Sequence, residues 1–394
     1  RRQGSEAMAG KIRITHVLEA TGGGTRRHIE DLLAALPAHR FDLSVICSLR
    51  RDPRFRTAVD RFRARGIEIR EVPMRRAIHP LADFRAWQHV RRHLNALAPD
   101  VVHTHSAKGG IVGRWAAKSA RSKPRIVHTP HHFPFAMEIG TTRRQLYFWI
   151  EKCPGAFTDR IVCVCDQERR LALRRRLVAA EKLCVIENGL DLAAFDRQAD
   201  TDREAARADL RIPNDAAVLG TVGRLTRQKG HYVLLEALAR LVEARPQTYA
   251  VIVGDGELRH QLAKRAETLG ITECCRFTGH REQTARLYAA FDVFVLPSLW
   301  EGLPYALLEA MAAACPIVTT GTGGMLDVIA PDETGILVPT HDAAALANAV
   351  HSLLTNRAEA EKLGHNARRQ LAERFRLSDM VDQTAALYEV LAGG

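Results

Sequence analysis

The sequence predicts an α/β protein in which a doubly wound parallel sheet, with helices on both faces, is built twice. Three observations predict it. From Lys11 onward, short β-branched runs alternate with amphipathic helical stretches, the pattern of a parallel sheet covered on both sides. The alternation restarts after a polar stretch near residue 190. The chain is 394 residues long, more than one hydrophobic core usually supports, so two domains are expected.

The first strand candidate is IRITHVL, followed by a helix near His28 to Leu36, the strand FDLSVIC, a helix near Phe55 to Arg65 and the strand IEIREV. A helix near Ala82 to Leu97, the strand DVVHTH, a helix near Gly109 to Ala120 and the strand RIVHT come next. A helix around Arg143 to Glu151 and the strands RIVCVC and KLCVIE complete the first half. Asn188-Gly189 is a strong turn signal, and the acidic polar run ENGLDLAAFDRQADTDREA suits a hinge. Six further strand candidates follow with helices between them: AVLGTVGR, YAVIVGD, CRFTG, DVFVLP, PIVTT and GILVP. The last helix, Ser378 to Leu391, is amphipathic and is expected to pack back across the hinge. The expected divisions are therefore 11–187, 188–376 and a terminal segment 377–394. Ligands are expected in a cleft facing the carboxyl ends of both sheets, where open α/β proteins bind them.

Apolar residues make up 46% and charged residues 26%, proportions of ordinary globular proteins that exclude a disordered chain. The eight cysteines form no CxxC pair and no zinc-like spacing, which fits a reduced, cytoplasmic protein. No run of about 18 uncharged apolar residues suggests a membrane span, and the opening Arg1 to Gly10 reads as a flexible leader without a signal-peptide core. Charge divides unevenly. Through Leu190 there are 36 Lys and Arg against 18 Asp and Glu; of the totals of 57 and 45, 21 and 27 remain beyond it. A basic half can attract nucleic acid, anionic lipid headgroups or phosphorylated substrates, or be only an arginine-rich solvated surface. RDPRFRTAVDRFRARG and ERRLALRRR, with arginines among apolar residues, suit a peripheral membrane face.

Chemistry gathers at strand ends. Glu301, in Trp300-Glu301-Gly302-Leu303-Pro304, follows the strand DVFVLP, and Pro304 suits the first turn of the next helix. Glu309 lies within the small, apolar run LLEAMAAA, so its carboxylate needs donors, which ribose hydroxyls would supply; helix capping and surface pairing are the plainer alternative for both carboxylates. Arg224 and Lys229, in Gly223-Arg224-Leu225 and Gln228-Lys229-Gly230, put two cations and a helix start where a diphosphate could bind. Gly22-Gly23-Gly24 and Gly254-Asp255-Gly256 are places of close backbone approach or plain tight turns; both lack the third glycine of a dinucleotide fingerprint. His103, His105, His128, His131 and His132 gather at two neighbouring strand ends. They admit a metal site or, more in keeping with their spacing, hydrogen bonding in a sugar cleft. Asp200-Thr201-Asp202 has the form of a metal-binding DxD, but it lies in the polar hinge and reads as coincidence.

Together, Glu301-x7-Glu309, GRLxxxKG, GDG, the TGGG loop, TPHHF and ENGLD resemble the retaining glycosyltransferases of family four, over nearly the whole chain from Lys11. The resemblance implies the GT-B fold, two Rossmann-like domains about a cleft, the first binding acceptor and the second a nucleotide sugar. It implies that Glu301 lies beside the donor sugar, that Glu309 holds the ribose, and that Arg224 and Lys229 grip the diphosphate. His131 would point at the transferred sugar, and Gly23 and Gly24 would lie near donor phosphate and acceptor. Gly254, Gly256, Gly302 and Leu303 join the expected substrate-binding set. No metal or other cofactor is expected. The implied partners are a UDP- or GDP-sugar, a glycan or lipid-linked acceptor of cell-envelope synthesis and an anionic membrane surface at the cytoplasmic side, with no nucleic acid. A sugar-nucleotide epimerase on the same fold and a non-enzymatic nucleotide-sugar binder are the alternatives. Two departures stand out: His132 replaces the glycine after the family histidine, and Asp327 stands where Gly323-Gly324-Met325-Leu326 usually leads to Glu.

Overall fold

The structure, a computed structural model, describes residues 10–393; residues 1–9 of the expected leader and the terminal residue 394 lie outside the described residues. The chain divides into two compact units. One comprises the chain through Val164, Glu168–Ile186 and the chain from Ser378 on; the other comprises Cys165–Gln167 and Glu187–Leu377.

The first unit holds a seven-stranded parallel sheet: β1 (Ile12–Leu18), β2 (Phe41–Cys47), β3 (Glu68–Glu71), β4 (Val101–His105), β5 (Arg125–Thr129), β6 (Arg160–Cys163) and β7 (Leu183–Val185), in the order β3-β2-β1-β4-β5-β6-β7. Its helices are α1 (Gly24–Ala35), α2 (Phe55–Ala64), α3 (Pro80–Leu97), α4 (Ala107–Lys118), α5 (Thr141–Gly155) and, from Glu168 on, α6 (Asp166–Arg174). The strand order reverses between β1 and β4, the switch point at which such sheets bind ligands. Helix α3 starts two residues before its apolar periodicity does, because Pro80 fits the first turn and the His79 ring accepts the Ala82 N–H at 3.3 Å. Val17, Ile46 and Val102 of the sheet are buried against Val90 and Leu94 of α3 and Val112 and Ala116 of α4.

The second unit repeats the plan with six parallel strands. The expected hinge is folded instead: α7 (Leu192–Gln198) and α8 (Arg203–Asp209) occupy it. Asp191 caps the first, accepting from Ala194 N at 2.9 Å, and Asp202 caps the second, accepting from Ala205 N at 2.7 Å. Acidic residues taken as hinge polarity are thus N-caps, and Asp202 of the DxD look-alike is one of them. The strands are β8 (Ala217–Val222), β9 (Thr248–Val253), β10 (Cys275–Gly279), β11 (Val293–Leu296), β12 (Ile317–Thr320) and β13 (Ile336–Val338), ordered β10-β9-β8-β11-β12-β13. Between and after them run α9 (His231–Ala244), α10 (Arg259–Thr268), α11 (Tyr305–Ala312), α12 (Met325–Val328), α13 (Ala343–Thr355) and α14 (Arg357–Arg374). Leu234, Leu238 and Leu241 of α9 pack with Leu346 and Val350 of α13 over the sheet.

The closing helix, α15 (Leu377–Gly393), belongs from Ser378 on to the first unit. There Tyr388 is fully buried with its hydroxyl 2.6 Å from His103 Nδ1, and Arg40 Nε donates to Glu389 at 2.8 Å. No helix among the described residues is long and apolar enough to cross a membrane.

Candidate functional site

In the second unit the strand order reverses between β8 and β11, so the loops leaving these two strands open side by side. Arg224 and Lys229 lie on the loop after β8 and Glu301 on the loop after β11. Lys229 Nζ stands 2.6 Å from Glu301 Oε1, which also accepts from Ser298 Oγ at 2.9 Å. Gln228 Nε2 donates to Glu301 Oε2 at 3.1 Å and to the Trp300 carbonyl at 3.0 Å. Glu301 is buried, so its charge rests on these three donors. Arg224 is 40% exposed, with Nη2 3.9 Å from Glu257 Oε2. Its guanidinium reaches outward; the Lys229 ammonium is held inward.

Glu309, on α11, is half-buried, and two of its donors come from the protein itself. Its Oε2 accepts from Tyr288 OH at 3.0 Å and Thr284 Oγ1 at 3.2 Å. Tyr288 is buried; loss of water and the nearby Glu309 charge hold its phenol well above the ordinary range, so it stays a donor at neutral pH. Neither residue was singled out in the sequence, because each meets Glu309 only through tertiary folding.

The glycines of this unit pack loop upon loop. A Cβ on Gly254, whose φ is +135°, would lie 1.9 Å from the Gly223 carbonyl oxygen, and one on Gly256 would lie 2.5 Å from the Leu225 carbonyl oxygen. The GDG loop therefore buttresses the strand end that carries Arg224. On the other side, Gly323 and Gly324 press on the backbone of Glu301 and Gly302, and Gly324 N donates to the Gly302 carbonyl at 2.8 Å. The Leu303 carbonyl accepts from Asn188 Nδ2 at 2.7 Å, tying the ENGLD turn to the Glu301 loop. Asp327 Oδ2 accepts from Gln167 N at 2.7 Å.

The first unit gathers histidines at its own switch point. His16 on β1 is in register with His103 on β4, so both rings leave the same face. His16 Nδ1 lies 3.1 Å from His105 Nε2, and His105 Nδ1 lies 3.2 Å from His131 Nε2. His28 of α1 sets its ring edge-on to His131, with centroids 4.8 Å apart. His16 and His28 were missed; the one sequence signal was a histidine at an inward position of the first strand. His128 departs from the expected cluster, because strand alternation turns it to the opposite face. There its Nδ1 meets Thr104 Oγ1 at 2.9 Å, and its Nε2 lies 3.6 Å from Glu151, which pairs with the buried Arg114 at 2.6 Å.

Burial holds His103, His105, His128 and His131 well below the ordinary histidine range and His16 at about 3. These imidazoles are neutral at pH 7 and able to donate or accept hydrogen bonds. Two trios, His16/His103/His105 and His28/His105/His131, bring ligand atoms within 4.8 Å of one another, a spacing open to a metal ion. Both nitrogens of His103 are nevertheless engaged, by Tyr388 OH at 2.6 Å and Thr129 Oγ1 at 2.8 Å. Gly23, at φ +65°, precedes α1, and Gly24 is its first residue, with no side-chain cap on that helix start. His131 and His132 both adopt positive φ, +57° and +148°, so the family glycine's conformation is kept where a histidine stands.

Residues 202–370 match the family of glycosyl transferases group 1, and residues 23–189 match the glycosyl transferase 4-like domain. The UDP-Gal:alpha-D-GlcNAc-diphosphoundecaprenol alpha-1,3-galactosyltransferase of Escherichia coli is 30% identical over 96% of this chain and 97% of its own. The D-inositol 3-phosphate glycosyltransferase of Geodermatophilus obscurus is 34% identical over 74% of this chain and 67% of its own. In fold, the chain is similar to Anabaena HepE, solved with UDP and glucose, at TM-score 0.81 and 20% identity over 96% of this chain and all of that one. It is also similar to the sucrose-phosphate synthase of Thermosynechococcus elongatus, at TM-score 0.80 and 23% identity over 97% of this chain and all of that one.

Proposed function

This chain belongs to the group 1 glycosyl transferases and has their GT-B fold, and on that premise we propose that it transfers a sugar from a UDP- or GDP-sugar, with retention, to a lipid-linked acceptor of cell-envelope glycan synthesis. The observation that carries the reading is the Lys229–Glu301 pair at 2.6 Å, set at a switch point with Arg224 on the same loop as Lys229.

In the reaction the bond between the anomeric carbon and the diphosphate oxygen breaks, and the acceptor oxygen bonds to that carbon on the same face. The acceptor proton passes to the departing phosphate. Arg224 and Lys229 stabilise the negative charge that develops there, so the step proceeds without a bound metal. Glu301 binds sugar hydroxyls and favours positive charge at the anomeric carbon. Glu309, oriented by Tyr288 and Thr284, holds the ribose. The second unit, with Gly254, Gly256, Gly302 and Leu303 shaping its loops, takes the nucleotide sugar. The first takes the acceptor, with Gly23 and Gly24 in its substrate-binding set. His131 is neutral at pH 7 and has Nε2 turned to His105; it serves as a hydrogen-bonding group to the sugar and not as a nucleophile. The relative that matches nearly end to end acts on a diphosphoundecaprenol-linked sugar, which favours a lipid-borne acceptor and work at the cytoplasmic membrane surface.

The test is to incubate the chain with a panel of nucleotide sugars, with and without diphosphoundecaprenol-linked GlcNAc in detergent, while following nucleoside diphosphate release and the anomeric configuration of the product. Acceptor-dependent release with a retained anomer is expected. Release of a free epimer with no acceptor would replace transfer with epimerisation, and donor binding with no turnover would leave only a binding protein.

A further inference from the structure

We propose that the outer face of helices α3, α4 and α5 is a docking surface for an anionic lipid bilayer. Of the eight exposed large hydrophobic side chains among the described residues, six lie on this layer or at its entry: Ile78, Leu81, Phe84, Trp115, Leu146 and Trp149. The remaining two, Leu326 and Val390, lie on α12 and α15. The three helices share one side of the sheet, because each links parallel strands by a right-handed crossover, and α4 packs against both α3 and α5.

Cations stand beside the aromatics. Arg91 lies over the Trp87 ring at 5.4 Å, and Trp87 stacks on Phe84 at 5.4 Å. Lys118 lies 5.6 Å over Phe157, which Trp115 meets edge-on at 4.9 Å. Lys152 is 5.9 Å from the centre of the Trp149 ring. Aromatic rings with long cationic side chains beside them are the chemistry of the headgroup boundary, where the ring enters the acyl edge and the cation stays with phosphate.

The charge on this layer is one-sided for a structural reason. Its two acids are Asp83 and Glu151, and each is held by a buried cation, Lys108 at 2.6 Å and Arg114 at 2.6 Å. Arg85, Arg91, Arg92, Lys118, Arg143, Arg144 and Lys152 are left with no acid of their own helices to meet. The arginine-rich segments singled out in the sequence behave otherwise. On α2, Phe55 and Phe62 are buried, and Arg61 and Arg63 pair with Glu30 at 3.2 Å and Glu71 at 3.3 Å; on α6, Ala172 is buried too. The phenylalanines of α2 thus serve the core, whereas Leu171 and Leu173 of α6 stay half-buried, so of the two stretches read from the sequence as suited to a membrane face, that of α2 has its rings turned inward.

The inference deepens the reading of a lipid-borne acceptor by giving the enzyme a surface for it, and it fails separately, since vesicle binding needs neither donor nor acceptor. The full chain is sedimented with vesicles of phosphatidylcholine alone and of phosphatidylcholine mixed with phosphatidylglycerol. Binding to the mixed vesicles that weakens with salt is expected. Phe84→Ser with Trp149→Ser should weaken it about tenfold or more, as should Arg85→Gln with Arg92→Gln. Arg56→Gln with Arg61→Gln on α2 should leave it unchanged. Urea unfolding confirms that the exposed substitutions keep the fold, and Trp149→Phe should restore most of the binding. Equal binding to both vesicle types, no binding to either, or full binding by the Phe84/Trp149 variant overturns the proposal. So does a concentration-dependent dimer lost in that variant, which would assign the face to a second copy of the chain. If vesicles bind as expected but a lipid-linked acceptor dispersed in detergent is not turned over, the acceptor reading fails and the docking surface stands.

Discussion

The ammonium of Lys229 lies 2.6 Å from Oε1 of Glu301, although one residue lies on the loop after β8 and the other on the loop after β11. Both side chains are largely shielded, at 15% and 8% exposure, so each stabilises a charge that water would otherwise solvate. In Lys229→Ala the carboxylate keeps Ser298 and Gln228 as donors, which limits the loss of stability to about 1–3 kcal/mol. The loss of turnover should be larger. A cation aimed at a departing diphosphate is worth about 10²–10³ in kcat. Steady-state kinetics beside urea unfolding separates the two effects, and unchanged kcat in a folded Lys229→Ala would remove Lys229 from the chemistry.

Tyr288→Phe removes the phenol that lies 3.0 Å from Glu309 Oε2 and 3.2 Å from the Ala306 carbonyl. The expected cost is about 1–2 kcal/mol of stability. Glu309 would keep Thr284 but lose its fixed direction, so the KM for the nucleotide sugar should rise severalfold while kcat changes little. A fall in kcat with an unchanged KM would place Glu309 in the transfer step and not in donor binding.

His132 holds φ +148°, a conformation that costs a side chain about 1–3 kcal/mol and costs glycine almost nothing sterically. After allowing for the greater freedom of glycine in the unfolded chain, His132→Gly should stabilise the protein by about 1 kcal/mol. His132→Ala keeps the strained backbone and should bring no gain. Chemical denaturation of both variants beside the parent checks this; a His132→Gly variant no more stable than the parent would mean that the histidine side chain outweighs the strain.

Six deeply buried histidines, His16, His103, His105, His128, His131 and His231, are held below their ordinary range by burial, with the Lys229 charge adding to the effect at His231; the more open His93 is lowered in the same sense. Their folded pKa values lie below the unfolded one, so the stability they contribute is complete above about pH 6.5 and is lost as the pH falls. At pH 5 each histidine kept neutral costs about 2 kcal/mol. Glu168 acts in the opposite sense: burial pushes its carboxyl up to about 7, so its contribution is lost as the pH rises through that value. It is one group against these six and His93. Five of the six histidines lie in the first unit, as do Trp87, Trp115 and Trp149, whereas Trp300 lies in the second. Tryptophan fluorescence should therefore show the first unit opening in mild acid before the second. A urea midpoint that stays flat from about pH 7 to about pH 5 would contradict this.

The alternation of β-branched and amphipathic stretches was enough for two parallel sheets, because backbone periodicity and burial are written in neighbouring residues. The positions of Arg224, Lys229 and Glu301 at strand ends were legible for the same reason. Partners were not. That Lys229 meets Glu301 follows from the strand order, which sets β8 beside β11. That Tyr288 and Thr284 hold Glu309, and that His16 and His28 join His105 and His131, depends on elements far apart in the chain coming into register. A one-residue alternation along β5 sent His128 to the far side of the sheet, and burial turned the apolar face of the arginine-rich helix α2 inward. Local sequence carries torsional preference and periodicity. Which charge finds which partner is decided by packing, since desolvation makes an unmatched buried group too costly and tertiary contacts alone can match it.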